Sequence, residues 1–243
     1  MLAGLLLKLG GYGFIRILLP VCRDITIYYL PLVNTLALVS IVYASLTTIR
    51  QVDLKRIVAY SSIAHMNLVV LGVFAGNSQG IIGSIFLMVA HGVVSSALFF
   101  CIGVLYDKYK TRLLFYYGSL IQVMPIYSTL LLIFSLANTG IPGSINFIGE
   151  LTVFMGLVDS NLFVTMVSIS SVIFSVIYTM FFYNRLVFGN VKVNYIFFFK
   201  DVTRIEWYIL FPLAFLSVFL GFHPNTITDV LIASVSLLSE KIK

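Results

Sequence analysis

Apolar runs of about 20 residues, each long enough as a helix to cross roughly 30 Å of hydrocarbon, recur along this chain between short polar joints. They fall near residues 2–21, 26–49, 57–76, 80–105, 124–158, 162–187 and 205–222. The joints are Arg23-Asp24, Arg50 to Arg56, Asn77 to Gln79, Asp107 to Arg112, Asp159 to Asn161, and a longer loop from Gly189 to Arg204. The fifth run is too long for one straight helix, and Gly140-Ile141-Pro142-Gly143 interrupts its middle, where proline removes a helical hydrogen bond. The tail after His223 is weakly amphipathic, as expected of a helix lying along a membrane surface. The pattern predicts an all-α integral membrane protein: a polytopic helix bundle of about seven crossings, one of them discontinuous, in a single membrane domain spanning residues 1–243.

Charge settles whether the fifth run crosses once or twice, because loops on the cytoplasmic side of a membrane carry the excess of Lys and Arg. With one broken crossing, one side receives Arg50, Lys55, Arg56, Lys108, Lys110, Arg112, Arg185, Lys192, Lys200 and Arg204. The other receives Arg16, Arg23, Lys241 and Lys243. Two crossings would leave six against eight and erase the bias, so one broken crossing is predicted.

Composition excludes other classes. Of 243 residues 60% are hydrophobic and 10% charged, against about 45–50% and about 25% in a soluble domain. The net charge of +6 lies in joints between apolar runs and forms no soluble basic face, so it reports topology and implies no nucleic-acid partner. Cys22 and Cys101 make no CxxC pair, no four-cysteine cluster and no disulfide framework, so no redox centre or cofactor is expected on this chain. The opening MLAGLLLKLGGYGFIR has neither the layout of a signal peptide nor the Arg-rich character of a transit peptide, and implies insertion where the protein is made.

Four ionisable residues remain at membrane depth: Lys8, His65, His91 and Glu150. A charge at the centre of a membrane helix costs at least about 2.5–3.5 kcal/mol, so such groups face a bundle interior or water and mark ion or proton paths. Each also has a plainer reading. Lys8 could snorkel to the interface, although Gly10, Gly11 and Gly13 after it permit close packing or a bend. His65 could be a structural histidine bonded to Ser61 and Ser62 one turn earlier, while His91 has Ser95 one turn later. Glu150 could be merely interfacial, yet it follows the break at Gly140, Pro142 and Gly143, and transporters use broken helices at ion sites. Four isolated groups on four helices make no nucleophilic triad or metal motif. Proton conduction fits them better than bond-making chemistry, with imidazole able to accept and donate near neutral pH. Asp53, Lys55 and Arg56 suit helix-entrance orientation. The seven crossings alone would also suit a receptor or retinal protein, but Ile205 to Phe222 contains no Lys for a Schiff base.

The strings LLKLGGYGFIR, DLKRIVAYSSIAHM, LMVAHGVVSSALFFCIGVLYDKYKTR and SLANTGIPGSINFIGEL, in this order, resemble the antiporter-like membrane subunits of NADH-ubiquinone oxidoreductase, respiratory complex I, from residue 1 to about His223. Glu150, with the string from His91 to Ser96, points to the mitochondrial subunit 4 branch; subunits 2 and 5 share the DLKR and AYSS portion but typically carry Lys where Glu150 stands. The resemblance implies a fourteen-helix fold of two inverted five-helix repeats, of which this chain supplies the last helix of the first repeat, the second repeat and the final helix. It implies that Lys8 links two half-channels, that His65 and His91 lie on a central hydrophilic axis, and that Glu150 ends the second half-channel. It also implies proton translocation in the mitochondrial inner membrane, with basic loops facing the matrix. NADH, FMN, iron-sulfur clusters and ubiquinone would be held by other subunits, and the partners would be membrane lipids and membrane-arm subunits, neighbouring antiporter-like ones included. Everything before the helix of Lys8 is missing, and with an opening Met the expectation is a split subunit whose N-terminal half is a separate chain docking against residues 1 to 50. The alternative is a stand-alone cation/proton antiporter component.

Overall fold

In the computed structural model, which describes residues 2–192 and 200–242, the apolar runs are helical, apart from the break at residues 139–144 in the fifth. That is how a backbone without water satisfies its own N–H and C=O groups. The helices are α1 (Gly4–Val21), α2 (Arg23–Arg50), α3 (Leu54–Phe74), α4 (Ser78–Tyr109), α5 (Pro125–Asn138), α6 (Ile145–Ser160), α7 (Leu162–Val187), α8 (Arg204–Phe222) and α9 (Asn225–Ile242). Six of these have the length and hydropathy of membrane spans, with α5 and α6 the two halves of the broken run.

Local signals set the ends. The Asp53 carboxylate accepts the Lys55 N–H at 3.0 Å and caps α3; Asn161 Oδ1 accepts from Phe163 and Val164 and caps α7. Thr203 and Glu206 form a reciprocal capping box on α8, which together satisfy donors a helix start would leave open. Two boundaries differ from expectation. The first joint is the single residue Cys22, while Arg23 and Asp24 already belong to the first turn of α2, where an acidic side chain suits the helix dipole. Helix α4 runs on to Tyr109, so Asp107 and Lys108 are helical and the chain turns at Lys110, with φ +56°. Of the Gly189 to Arg204 loop, residues 193–199 lie outside the described residues.

The broken run crosses once. Tyr127 near the start of α5 donates its hydroxyl to Cys101 O at 3.1 Å. Further on, a Cβ at Gly149 would stand 3.0 Å from Leu87 Cα, and one at Gly156 would stand 2.5 Å from Gly80 N. Going forward from α5 into α6 thus means going steadily backward along α4, which makes seven crossings among the described residues.

The basic joints meet at one end of the bundle. Leu54 N–H reaches Arg112 O, Leu114 N–H reaches Val52 O, and Ser119 N–H reaches Phe188 O. Lys108 Nζ donates to Asp201 O and pairs with Glu206 at 3.5 Å, and Lys192 Nζ donates to Phe115 O. The Asp201 carboxylate accepts from Ile126 and Tyr127 at 2.8 and 3.1 Å, capping α5 from across the chain. Lys243 and the side chain of Lys241, counted on the opposite side, are not among the described groups. The amphipathic tail is α9, whose buried Val235 joins Leu19 and Leu71 in an apolar cluster at the opposite end.

Candidate functional site

Close helix packing brings the four intramembrane groups together. Helices α1 and α4 run antiparallel: a Cβ at Gly92 would lie 3.4 Å from Gly4 O, and one at Gly11 would press on the Met88 sulfur. That sets Lys8 over His91, and Lys8 Nζ stands 2.8 Å from His91 Nδ1. Lys8 thus points to a buried partner, while its stem borders an apolar cleft of about 620 Å³ that Tyr12, Met88 and Gly92 also line. Of the neighbouring glycines only Gly11 is used for close packing; Gly10 and Gly13 face open space, and the helix is locally widened over Leu2–Leu6 and Phe14–Leu18.

His91, on α4, is 1% exposed, and its ring centroid lies 5.6 Å from that of His65 on α3. His65 Nδ1 in turn lies 3.2 Å from Glu150 Oε1, with both side chains buried. Ser61 and Ser62 do not hold His65; each donates to Val58 O at 2.9 Å within its own helix. Ser95 Oγ is buried without a hydrogen-bond partner.

The helix break makes room for Glu150. Gly140 and Gly143 adopt φ of +71° and +94°, a region open to glycine at little cost. A Cβ on Gly140 would stand 2.7 Å from Glu150 Oε2. Side chains lean toward the N-terminus of their helix, so Glu150 reaches back to the break while its other oxygen meets His65. Gly143 O presses against Gly221 of α8, which fixes the far side of the loop. Beyond the break Ser61, Ser135, Asn138, Tyr178 and Thr179 line a cavity of about 10 Å³, close to the room one water needs.

Donor and acceptor inventories give the chain a direction. An ammonium has only donors, so a protonated Lys8 donates to His91 Nδ1 and places the proton of neutral His91 on Nε2. An ionised Glu150 only accepts, so neutral His65 donates from Nδ1 and has its lone pair on Nε2. Every bond then points from Lys8 toward Glu150, with one gap between the two Nε2 atoms, neither of which has a partner. Sequence reasoning missed Asn146, which is completely buried, one turn before Glu150, and without a partner for either amide atom. An amide in an otherwise apolar stretch at i−4 from the acid was the available signal.

Among the described residues no cluster of three or more potential ligands could hold a metal. The class defined by this fold and site is a polytopic helix bundle with buried ionisable groups joined across a broken membrane helix. The family profile described as NADH:quinone oxidoreductase/Mrp antiporter, transmembrane, matches residues 1–178, and the chain belongs to that family. It is 50% identical over 238 residues to NADH-ubiquinone oxidoreductase chain 4 of Chondrus crispus, matching 98% of this chain and 48% of that one. The Marchantia polymorpha chain 4 is 48% identical, with the same coverages. The chain spans about half the length of the curated relatives it matches. A chain of respiratory complex I from Thermus thermophilus superposes with a TM-score of 0.89 at 27% identity, over 97% of this chain and 50% of that one. A chain of the Mrp complex from a Dietzia species shares the fold, with a TM-score of 0.85 at 16% identity, over 96% of this chain and 51% of that one.

Proposed function

We propose that this chain is the C-terminal half of an antiporter-like subunit 4 of respiratory complex I, and that it moves protons while electrons pass from NADH to ubiquinone in other subunits. The observation that carries the reading is the contact chain Lys8, His91, His65, Glu150, four groups on four helices converging at membrane depth. In this reading α1 is the last helix of the first inverted repeat, α2 to α7 are the second repeat with α5 and α6 as its broken helix, and α8 is the final helix. Protonation at one group changes the preferred charge of the next, since two unit charges in a poorly solvated site interact by several kcal/mol.

The setting follows from the same reading. The membrane is the mitochondrial inner membrane, with the end that gathers the basic joints toward the matrix. FMN and iron-sulfur clusters belong to other subunits, and neighbouring membrane-arm subunits and lipids surround the bundle. The front half of subunit 4 packs against α1 and α2, whose outward positions include Leu5, Leu9, Tyr28 and Leu36. Mass spectrometry of the native complex tests this assembly: the flavin and iron-sulfur subunits come with the chain. Recovery without the redox subunits overturns complex I in favour of a stand-alone antiporter.

A further inference from the structure

Helix α8 carries an exposed aromatic stripe that begins at an arginine. At helical spacing Arg204, Trp207, Tyr208, Phe211, Phe215 and Phe219 share one face, and all of them are exposed. Trp207 stacks on Phe211 with ring centroids 5.3 Å apart, and Phe215 stacks on Phe219 at 5.6 Å. The buried residues Leu210, Ala214, Ser217 and Gly221 hold the opposite face against the bundle. The rings form an apolar bed along the outside of the span.

At the head of this bed, at the end that gathers the basic joints, Ile126, Val202, Thr203, Arg204, Trp207 and Tyr208 line a cavity of about 300 Å³. The acids beside it are already engaged. The Asp201 carboxylate accepts from the backbone N–H groups of Ile126, Tyr127 and Val202. Glu206 accepts from Thr203 N–H at 2.7 Å and pairs with Lys108, while Thr203 Oγ1 accepts from Glu206 N–H, so the capping box serves the helix start. What remains at the rim is the Arg204 guanidinium, the Trp207 indole N–H and the Tyr208 hydroxyl. Among the described residues none of these has a hydrogen-bond or ionic partner. Guanidinium and indole only donate. Arg204 also stands in the first turn of α8, where the helix dipole disfavours a cation, and an anion beside it removes that mismatch.

We infer that this cavity is the headgroup site of an anionic phospholipid. The Arg204 fork takes the phosphodiester, Trp207 and Tyr208 donate at its edge, and one acyl chain lies along Phe211, Phe215 and Phe219. Three features select such a lipid. A guanidinium matches two phosphate oxygens at once. Trp and Tyr suit the boundary between membrane and water, with an apolar ring and a wet polar tip, and here an apolar path leads from them into the span. A headgroup ammonium would find no open carboxylate, since Asp201 and Glu206 are engaged, which selects a glycerol-type headgroup over choline or ethanolamine. The lipid bridges the starts of α5 and α8, beside the cap that Asp201 places on α5. None of Lys8, His65, His91 and Glu150 lines this cavity, so the site stands or falls independently of the proton path.

The experiment places the assembled complex in phosphatidylcholine bilayers with a small fraction of phosphatidylglycerol whose acyl chain carries a photoreactive diazirine, and maps the cross-linked peptides. Labelling is expected on α8 between Trp207 and Phe219, in excess over the exposed α7 positions Phe163 and Met166. Arg204→Gln is expected to lower the α8 labelling about tenfold and leave the α7 labelling unchanged. Arg204→Lys, which keeps the charge without the fork, recovers part of it. The same diazirine carried on phosphatidylcholine labels α8 no more than α7. Equal α8 labelling in wild type and Arg204→Gln overturns the site, and so does equal enrichment on α8 from both headgroups. Loss of the labelling on adding inorganic phosphate assigns the cavity to a free anion and overturns the lipid. Labelling of α7 without α8 means that a protein partner covers this face, and also overturns it. Should Arg204→Gln not assemble, the headgroup comparison and the phosphate addition on the wild-type complex decide.

Discussion

At the residue scale the site is made by small residues as much as by ionisable ones. Gly140 must be glycine twice over, for its φ of +71° and because a Cβ would stand against the Glu150 carboxylate. Gly140→Ala should therefore cost about 1–2 kcal/mol from backbone conformation alone and push Glu150 off His65, read as lowered proton translocation beyond any loss in assembly. The His65–Glu150 contact is buried on both sides, where removing one partner and leaving the other unsatisfied costs about 1–3 kcal/mol. Glu150→Gln keeps the shape and a hydrogen-bonding oxygen but cannot hold the transferred proton. It should assemble and fail to translocate, whereas Glu150→Leu should also lower thermal stability in differential scanning of the complex. Lys8, His65, His91 and Glu150 were legible in the sequence because ionisable groups stand out against an apolar background. Their pairing was not, since contacts between residues 83 and 85 positions apart depend on helix register.

At the element scale the broken helix is positioned by two devices that are far apart in sequence. Asp201 caps the start of α5 from the other side of the loop, and Asp201→Ala should lower the melting temperature of the complex through a loss of about 0.5–2 kcal/mol. Gly156 lets α6 touch the backbone of α4 at Gly80. Gly156→Val should force the two helices apart at a cost of about 1–3 kcal/mol or more, seen as a lower yield of assembled complex on native gels. The interruption at Gly140 to Gly143 was plain in the sequence, as was its single crossing from the distribution of basic residues. The Asp201 cap was invisible there, because the bond that reveals it spans more than 70 positions. The joint before α2 was placed at Arg23-Asp24 because charges usually mark loops; here the turn is Cys22, and both charges fit the first turn of the next helix.

At the scale of the whole molecule the seven crossings, the gathering of basic joints at one end and the placement of α9 against the opposite end make one topology. Single cysteines introduced at Lys110 and at Asp229, with Cys22 and Cys101 replaced, should react with a membrane-impermeant maleimide from opposite faces, the first from the matrix side. Labelling of both from one face would overturn the count of crossings. Hydropathy and charge made this plan legible, because the bilayer restricts a spanning chain to closed helices, whereas the approach of His65 to His91 across two helices depends on packing that only coordinates reveal. The measurement that bears most directly on the account is the ratio of protons translocated to NADH oxidised in membranes whose complex carries Glu150→Gln. The account predicts a clear fall in that ratio with the complex assembled. An unchanged ratio in an assembled complex would contradict a proton path through Lys8, His91, His65 and Glu150.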